Sequence, residues 1–273
     1  MVDRITVFGA GGYVGSALVT TLQCLGAEVI AVTRDSIAET PAQLGHAIYA
    51  IGLTSDFRNK PLETVQAHVV QLADLLASRD FASFTYLSST RLYKSESTTD
   101  ELTSISAFPV DGDDIYTLSK LLGEALIFRL AGERGRVCRL SNVYGGNDRS
   151  SNFLTSILAD ARARQSVRIM QAPTSQKDYV HLEDACRAIE AVAVRGTEPI
   201  YNVAAGRNTS HQQIADQLRE RGVAVEFGPG SIFGFRPINV RRLCNLLDWN
   251  PRSLVDDLPE LLSMPEGIKE FSK

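Results

Sequence analysis

A glycine-rich turn near the start of the chain places the strongest limit on its fold. The segment Val7-Phe8-Gly9-Ala10-Gly11-Gly12-Tyr13-Val14-Gly15 follows a β-rich run, Arg4–Phe8, and opens a helical pattern, Val14–Leu25. Gly9 permits a tight turn, Gly12 lets backbone approach a pyrophosphate, and Gly15 allows the helix to pack close to the strand. A phosphate would then lie at a helix N-terminus, where free N–H groups and the helix dipole favour negative charge. A glycine triplet alone is a weak signal, and a tight βα turn without ligand is the alternative. The strand before it and the helix after it favour dinucleotide binding, with Gly9, Gly11, Gly12, Tyr13, Val14 and Gly15 as contacts.

Further along, short β-rich runs alternate with helical patterns. Strands are predicted at Glu28–Thr33, Ala47–Ile51, Ser83–Ser88, Arg136–Leu140, Val167–Met170 and Ile200–Val203. Helices are predicted at Leu62–Ser78, Asp113–Ala131, Phe153–Arg164, Leu182–Val194, Ser210–Arg221 and Val240–Leu247. Such alternation predicts an α/β fold, a Rossmann-type doubly wound parallel sheet with helices on both faces. At 273 residues the chain can form one large α/β unit or a main domain with a small appendage. Segments Gly145–Ser151 and Phe227-Gly228-Pro229-Gly230 read as excursions from the sheet.

Two helical segments carry more apolar residues than one packing face needs. Leu118, Leu121, Leu122, Ala125, Leu126, Ile127, Phe128 and Leu130 cover most of one circumference, and Val65, Val69, Val70, Leu72, Leu75 and Leu76 do much the same in the earlier helix. Such helices are covered on both sides, either inside the monomer or at a subunit interface.

Several function classes are disfavoured. The 28 Lys+Arg against 32 Asp+Glu leave no basic field for nucleic acid. Charges interrupt every apolar run before it could cross a membrane, and Met1-Val2-Asp3-Arg4 leads into the first strand without a signal-peptide layout. Cys24, Cys138, Cys186 and Cys244 are scattered, which suits reduced thiols in a cytoplasmic protein. His46, His68, His181 and His211 lack metal-ligand spacing, so no metal is expected.

The second strand ends Val32-Thr33-Arg34-Asp35. An acid there would accept from the ribose hydroxyls of NAD, whereas an arginine pairs with the 2′-phosphate of NADP. Arg34 comes first, so Thr33 and Arg34 favour NADP(H) over NAD(H); the alternative gives Asp35 the ribose and leaves Arg34 solvated.

Tyr116-Thr117-Leu118-Ser119-Lys120 sets a phenol and an ammonium on one helical face. That pair is unspecific by itself. The strand Phe84–Leu87, however, ends in Ser88-Ser89-Thr90, at the sheet edge where open α/β folds hold ligands. A free tyrosine, with a pKa near 10, is too weak an acid to act as a base at neutral pH. A nearby ammonium and an oxidised nicotinamide favour tyrosinate, and a serine hydroxyl can hold the same substrate oxygen.

These segments together resemble the extended short-chain dehydrogenases/reductases, also called the NAD-dependent epimerase/dehydratase family. The resemblance spans almost the whole chain. Besides the glycine turn it rests on Leu87-Ser88-Ser89-Thr90-Arg91-Leu92-Tyr93, on Tyr116 with Lys120 and Glu124, and on Arg139-Leu140-Ser141-Asn142-Val143-Tyr144-Gly145. Lys177-Asp178-Tyr179-Val180-His181-Leu182-Glu183-Asp184, Tyr201-Asn202-Val203 and Phe235-Arg236-Pro237 complete it. It implies Ser89 as catalytic hydroxyl, Tyr116 as acid/base and Lys120 on the nicotinamide ribose, with Ile51, Gly52 and Leu87 beside the cofactor. It also implies nucleotide-sugar substrates of the kind used in polysaccharide biosynthesis, with Asn142 and Arg236 near the diphosphate. A homodimer through the helices near 62–78 and 113–131 is common in that family. His181 and Asp184 would be structural, and Glu124 a helix-surface or packing residue.

Within the family, dehydratases carry an Asp-Glu pair after the catalytic hydroxyl, decarboxylases a Glu at the second position, and fucose-synthase-type enzymes a Cys. Here Thr90 and Arg91 stand there, both expected near substrate. Arginine stays protonated and cannot eliminate water as an acid. Arg91 either holds a substrate carboxylate or phosphate or pairs with an acid outside the site. The reading is NADPH-dependent reduction of a keto nucleotide sugar, at C4, ahead of an NAD(P)-dependent 4-epimerase and of a non-catalytic NADP-binding scaffold or redox sensor. Between Arg34 and Ala47 lie only about a dozen residues, too few for a βαβ unit of roughly 30. A shortened third strand–helix unit and altered adenine binding are therefore expected. The domain division expected is 1–144, receiving part of 179–222, for the dinucleotide domain, with 145–178 and 223–273 as a small substrate lobe.

Overall fold

The computed structural model describes residues 3–54, 56–146, 152–232 and 234–263. The first half runs β1 (Arg4–Phe8), α1 (Tyr13–Cys24), β2 (Glu28–Val32), β3 (His46–Tyr49), α2 (Pro61–Val65), α3 (Gln71–Ser78), β4 (Ser83–Ser89) and α4 (Asp114–Leu126). It continues with β5 (Gly135–Leu140), β6 (Asn142–Tyr144), α5 (Phe153–Arg164), β7 (Ser166–Ile169), β8 (Gln176–His181) and α6 (Leu182–Arg195). The last part holds β9 (Ile200–Val203), β10 (Asn208–Ser210), α7 (His211–Arg219), β11 (Ala224–Phe227), α8 (Arg241–Leu246) and α9 (Leu254–Ser263). A π-helical stretch, Gln66–Val70, joins α2 to α3, and another, Ile127–Ala131, extends α4.

A six-stranded parallel sheet forms the centre, in the order β2-β1-β3-β4-β5-β9. Alternate strand residues point to opposite faces. Ile5, Val7, Ile48, Leu87, Cys138 and Leu140 pack with α1 and α6, while Phe8, Ala47, Tyr49, Phe84, Tyr86 and Val137 pack with α3 and the end of the α4 helix. Covered on both sides, the sheet is the Rossmann-type α/β architecture expected. The usual doubly wound order places a further strand outside the second. Here β2 is the edge, because the chain passes from Val32 through a single 3₁₀ turn, Ile37–Glu39, into β3 on the far side of β1. The third strand–helix unit is therefore reduced to a loop.

A third core lies beyond the sheet, where Tyr144, Leu154, Leu158, Ile169, Tyr179, Ile214, Leu218 and Leu258 meet. It is framed by two small sheets, β10-β8-β6 and β11-β7. Its membership cuts across the sequence division. Helix α7 packs here, whereas Leu243 of α8 packs on the main sheet with α6. Residues 147–151, 233 and 264–273 of the expected lobe lie outside the described residues.

Helices α2–α4 correct one expectation. α4 turns Tyr116, Thr117, Ser119, Lys120, Gly123 and Glu124 inward and leaves Leu118 and Leu122 exposed, as the π-helical stretch Ile127–Ala131 leaves Leu130. The π-helical stretch likewise exposes Val70, and α2 exposes Leu62. Within one chain these apolar faces are not sandwiched.

Candidate active site

The glycine turn sits at the C-terminal edge of β1. Gly9 adopts φ +83° and donates to the Val32 carbonyl, and a Cβ there would come within 2.9 Å of the Ala50 backbone. A Cβ at Gly15 would collide with the Gly9 carbonyl oxygen, so α1 can lie this close to β1 only with glycine. Gly12 is the N-cap of α1 and brings no side chain to the first-turn amides, while a Cβ at Gly11 would meet open space. An uncapped helix N-terminus facing open space fits a dinucleotide's phosphates. The Tyr13 hydroxyl donates to the Gly145 carbonyl at 2.6 Å, tying this turn to the loop that enters the outer lobe. Val14 follows in the first turn of α1.

Ser89 closes β4, and Tyr116 and Lys120 reach the same edge from α4. The Lys120 ammonium donates to the Leu87 carbonyl at 2.8 Å and stands 4.8 Å over the Tyr86 ring. Burial lowers its pKa to about 7, against the pull of Glu124. Tyr116 is buried, which raises its pKa; the Ser89 hydroxyl and the Arg91 charge oppose that rise. Lys120 therefore gives up its proton more readily than a free lysine, Tyr116 holds its own more firmly than a free tyrosine, and a bound charge can shift either one. Ile51 and Gly52 follow β3, and a Cβ at Gly52 would lie 3.5 Å from the Lys120 ammonium.

Four residues that the sequence left unassigned, His68, Ser119, Phe57 and Arg58, complete this wall. His68 is fully buried on the π-helical stretch. Its Nε2 accepts from the Leu53 amide at 3.2 Å, so Nδ1 carries the proton and donates to Ser119 Oγ at 2.8 Å. Ser119 in turn donates to the Tyr116 carbonyl, and the imidazole meets the Tyr116 ring edge-on at 5.5 Å. Burial and the Lys120 charge push the His68 pKa to about 2, so the ring stays neutral. Phe57 packs on the Tyr116 ring at 5.1 Å, and the guanidinium groups of Arg58 and Arg91 lie over Phe57 at 4.7 and 5.1 Å. The signal for His68 was an imidazole inside an apolar helix face, unspecific without its partners.

Glu124 is not on the helix surface. It forms a buried ion pair with Arg139 at 2.7 Å and accepts from Ser88 Oγ at 2.6 Å. His181 caps α6 by accepting from the Glu183 amide, and Asp184 accepts from the Arg252 amide at 2.8 Å, both structural tasks. Thr90, expected to face substrate, is buried and donates its hydroxyl to the Leu140 carbonyl. Arg91 pairs with Asp113 at 2.9 Å and stands 5.8 Å over the Tyr116 ring. Asn142 and Arg236 stand apart from the catalytic cluster in their contacts. Asn142 donates to the Asp178 carbonyl, and the exposed Arg236 to the Glu96 carbonyl. Thr33 and Arg34 are exposed beyond β2; the Thr33 amide donates to Ser36 Oγ, and Arg34 has no ion pair among the described residues. No metal-binding cluster and no helix long and apolar enough to cross a membrane occurs among the described residues.

An open parallel sheet with a glycine turn and a Ser-Tyr-Lys cluster at its C-terminal edge defines a nucleotide-dependent oxidoreductase class. The chain belongs to the NAD dependent epimerase/dehydratase family, whose model matches residues 5–70 and 46–204. It is similar to a dTDP-4-dehydro-6-deoxy-D-allose reductase of a Streptomyces species, at 26% identity over 94% of each chain. Among solved structures it is similar to TunA, an NAD-dependent NDP-hexosamine 5,6-dehydratase of tunicamycin biosynthesis, with TM-score 0.79 and 18% identity over 95% of this chain and 96% of that one. RMD from Pseudomonas aeruginosa, solved with NADPH, matches with TM-score 0.74 and 20% identity over 96% of this chain and 99% of that one. Membership of that family makes the protein an NAD(P)-dependent enzyme, and the relatives it is similar to act on nucleotide sugars.

Proposed function

We propose that this protein is an NADPH-dependent reductase of a 4-keto nucleotide sugar. The observation that carries the reading is the convergence of Ser89, Tyr116 and Lys120 at the sheet edge that also holds the glycine turn. A bound dinucleotide would supply the hydride. Ser89 Oγ would hold the substrate carbonyl oxygen, and the Tyr116 phenol would give that oxygen its proton as the alcohol forms. Lys120, held by the Leu87 carbonyl, would meet the nicotinamide ribose and, when charged, favour the tyrosinate left behind. His68 would hold the Leu53 loop and the backbone of Tyr116 in one frame.

Reduction is supported over dehydration by Arg91, which cannot act as an eliminating acid. The 26%-identical reductase supports the same chemistry. Arg34, exposed past β2, suits the 2′-phosphate of NADP, and the missing outer strand predicts a shallower adenine site. Asn142 and Arg236 are proposed to meet the diphosphate once the outer lobe closes on substrate.

Oxidation of NADPH and of NADH is to be followed with a panel of 4-keto-6-deoxy nucleotide sugars, alongside cofactor released on denaturation. NADPH consumption with one of them is expected. Tightly held NAD and no net consumption would identify a 4-epimerase, and cofactor binding without either activity a scaffold. Tyr116→Phe should lower kcat by about 10²–10⁴-fold and spare NADPH binding, and turnover that survives it would refute the tyrosine's role.

A further inference from the structure

Ser89 closes β4 where that strand is held from one side only. β3 pairs with β4 as far as Tyr49 and Tyr86, whereas the pairing with β5 runs on to Ser89 and Leu140. Leu87, Ser88 and Ser89 therefore have no strand neighbour on the β3 side, and a 3₁₀ turn, Thr90–Tyr93, follows at once. The Arg91 amide donates to Ser89 Oγ at 3.2 Å, which leaves the Ser89 proton for an acceptor in the site. In the reaction proposed above that hydroxyl must meet the reacting oxygen. A misplacement of about 1 Å can cost about 10²-fold in rate, so the strand end needs a further hold.

Helix α4 supplies it through two hydrogen bonds of opposite sense. The Lys120 ammonium donates to the Leu87 carbonyl at 2.8 Å, and Ser88 Oγ donates to Glu124 Oε1 at 2.6 Å. Tyr116, Lys120 and Glu124 follow one another by single turns along the inner face of α4. Arg139 of β5, the register partner of Ser88, fixes the carboxylate in turn: its Nε donates to Oε1 at 3.0 Å and its Nη2 to Oε2 at 2.7 Å. Arg139 Nη1 donates to the Tyr93 hydroxyl at 2.8 Å and to the Glu101 carbonyl at 3.2 Å, so the guanidinium is anchored at its far end as well. Both members of the ion pair are buried. Desolvation offsets much of the attraction in such a pair, so its net gain in stability is small, and what it fixes is a geometry. The short, charge-assisted bond from Ser88 passes that geometry to the strand end. Sealed from solvent with both oxygens engaged, Glu124 is placed to hold and not to exchange protons.

We propose that Glu124, fixed by Arg139 and gripping Ser88, is a positioning residue that sets the Ser89 hydroxyl of β4 against the Tyr116 phenol of α4. It acts through Ser88 and not by contact with substrate. The inference rests on the reductase reading above and deepens it.

Ser88→Ala removes the grip and leaves the ion pair in place. With NADPH and the panel of 4-keto-6-deoxy nucleotide sugars it should lower kcat about tenfold or more, while the KM of the sugar and the Kd of NADPH, followed by its fluorescence, stay within about twofold of the native values. Ser88→Thr, which keeps the hydroxyl, should restore most of the loss. A double-mutant cycle separates positioning from support of the fold. On a Ser89→Ala background, Ser88→Ala should cost less than about twofold, since the hydroxyl it positions is already gone. A native kcat in Ser88→Ala, or the same fold loss in both backgrounds, would overturn the positioning role and leave Glu124 a structural residue. No turnover of any sugar by the native protein while NADPH binds would instead remove the reductase reading, and the positioning role with it. Thermal melting checks each variant; should Ser88→Ala unfold, Ser88→Cys, whose thiol is a weak donor, takes its place in the cycle.

Discussion

His68 ties together three parts of the proposed active site: the Leu53 loop beyond β3, the Ser119 hydroxyl, and through it the Tyr116 backbone. Its ring must be neutral for this, because Nε2 accepts. The cost appears under acid. The unfolded chain takes up a proton at His68 from about pH 6.5, the ordinary histidine value. The folded protein refuses it until about pH 2. Throughout that window the unfolded state binds more protons, so acidification removes stability, by at most about 1.4 kcal/mol per pH unit from this residue. His68→Gln, able to donate and accept, should unfold less steeply as pH falls from 6.5, as measured by urea midpoints at successive pH values. An unchanged acid slope would show that other groups govern it. At this scale the sequence pointed to Ser89, Tyr116 and Lys120, which the fold brings to one sheet edge and which are proposed to carry the chemistry. It was not legible for His68, Phe57 or the Glu124–Arg139 pair, whose meaning depends on contacts between residues far apart in the sequence.

Elements were easier to read than their partners. The strands of the central sheet are nearly continuous β-branched and aromatic runs, so β1, β4 and β9 fall within a residue of expectation. The short strands β6, β8, β10 and β11 were not foreseen, since Gln176–His181 mixes Lys177 and Asp178 with apolar residues and gains strand form only by pairing with distant segments. The gap after Arg34 was read correctly because a βαβ unit has a minimum length. Its consequence is chemical. With β2 at the edge, the exposed loop carrying Thr33, Arg34 and Asp35 is the segment proposed to discriminate between cofactors. Arg34→Ala should lower the ratio of kcat/KM with NADPH to that with NADH by about tenfold or more, the worth of a charge-assisted contact to phosphate. A ratio left unchanged by the substitution would remove this loop from cofactor choice.

For the whole molecule, the unusual feature is that the helix proposed to carry the catalytic tyrosine and lysine buries polar residues and exposes leucines. α4 spends its inner face on Tyr116, Lys120 and Glu124, and therefore shows leucines to the outside: Leu122 is 51% exposed and Leu62 of the neighbouring α2 is 81% exposed. With Leu118, Leu130 and Val70 these residues place apolar surface along two adjacent helices, the kind of patch a soluble monomer rarely leaves uncovered. A twofold axis beside α4 would set the same face of a second chain against it, helices packing on helices and each patch meeting itself. The same packing would brace the outer side of the helix that carries Tyr116 and Lys120, so association and catalysis should be linked. Light scattering behind size exclusion is expected to give twice the mass of one chain. Replacing Leu118 and Leu122 together by Glu should halve it, because burying two carboxylates against their copies is strongly unfavourable. Far-UV circular dichroism should be little changed, since both side chains already face outward in the single chain, while kcat falls with the loss of the brace. A native protein that runs as a single chain at micromolar concentration would overturn the arrangement and leave the exposed leucines to some other partner.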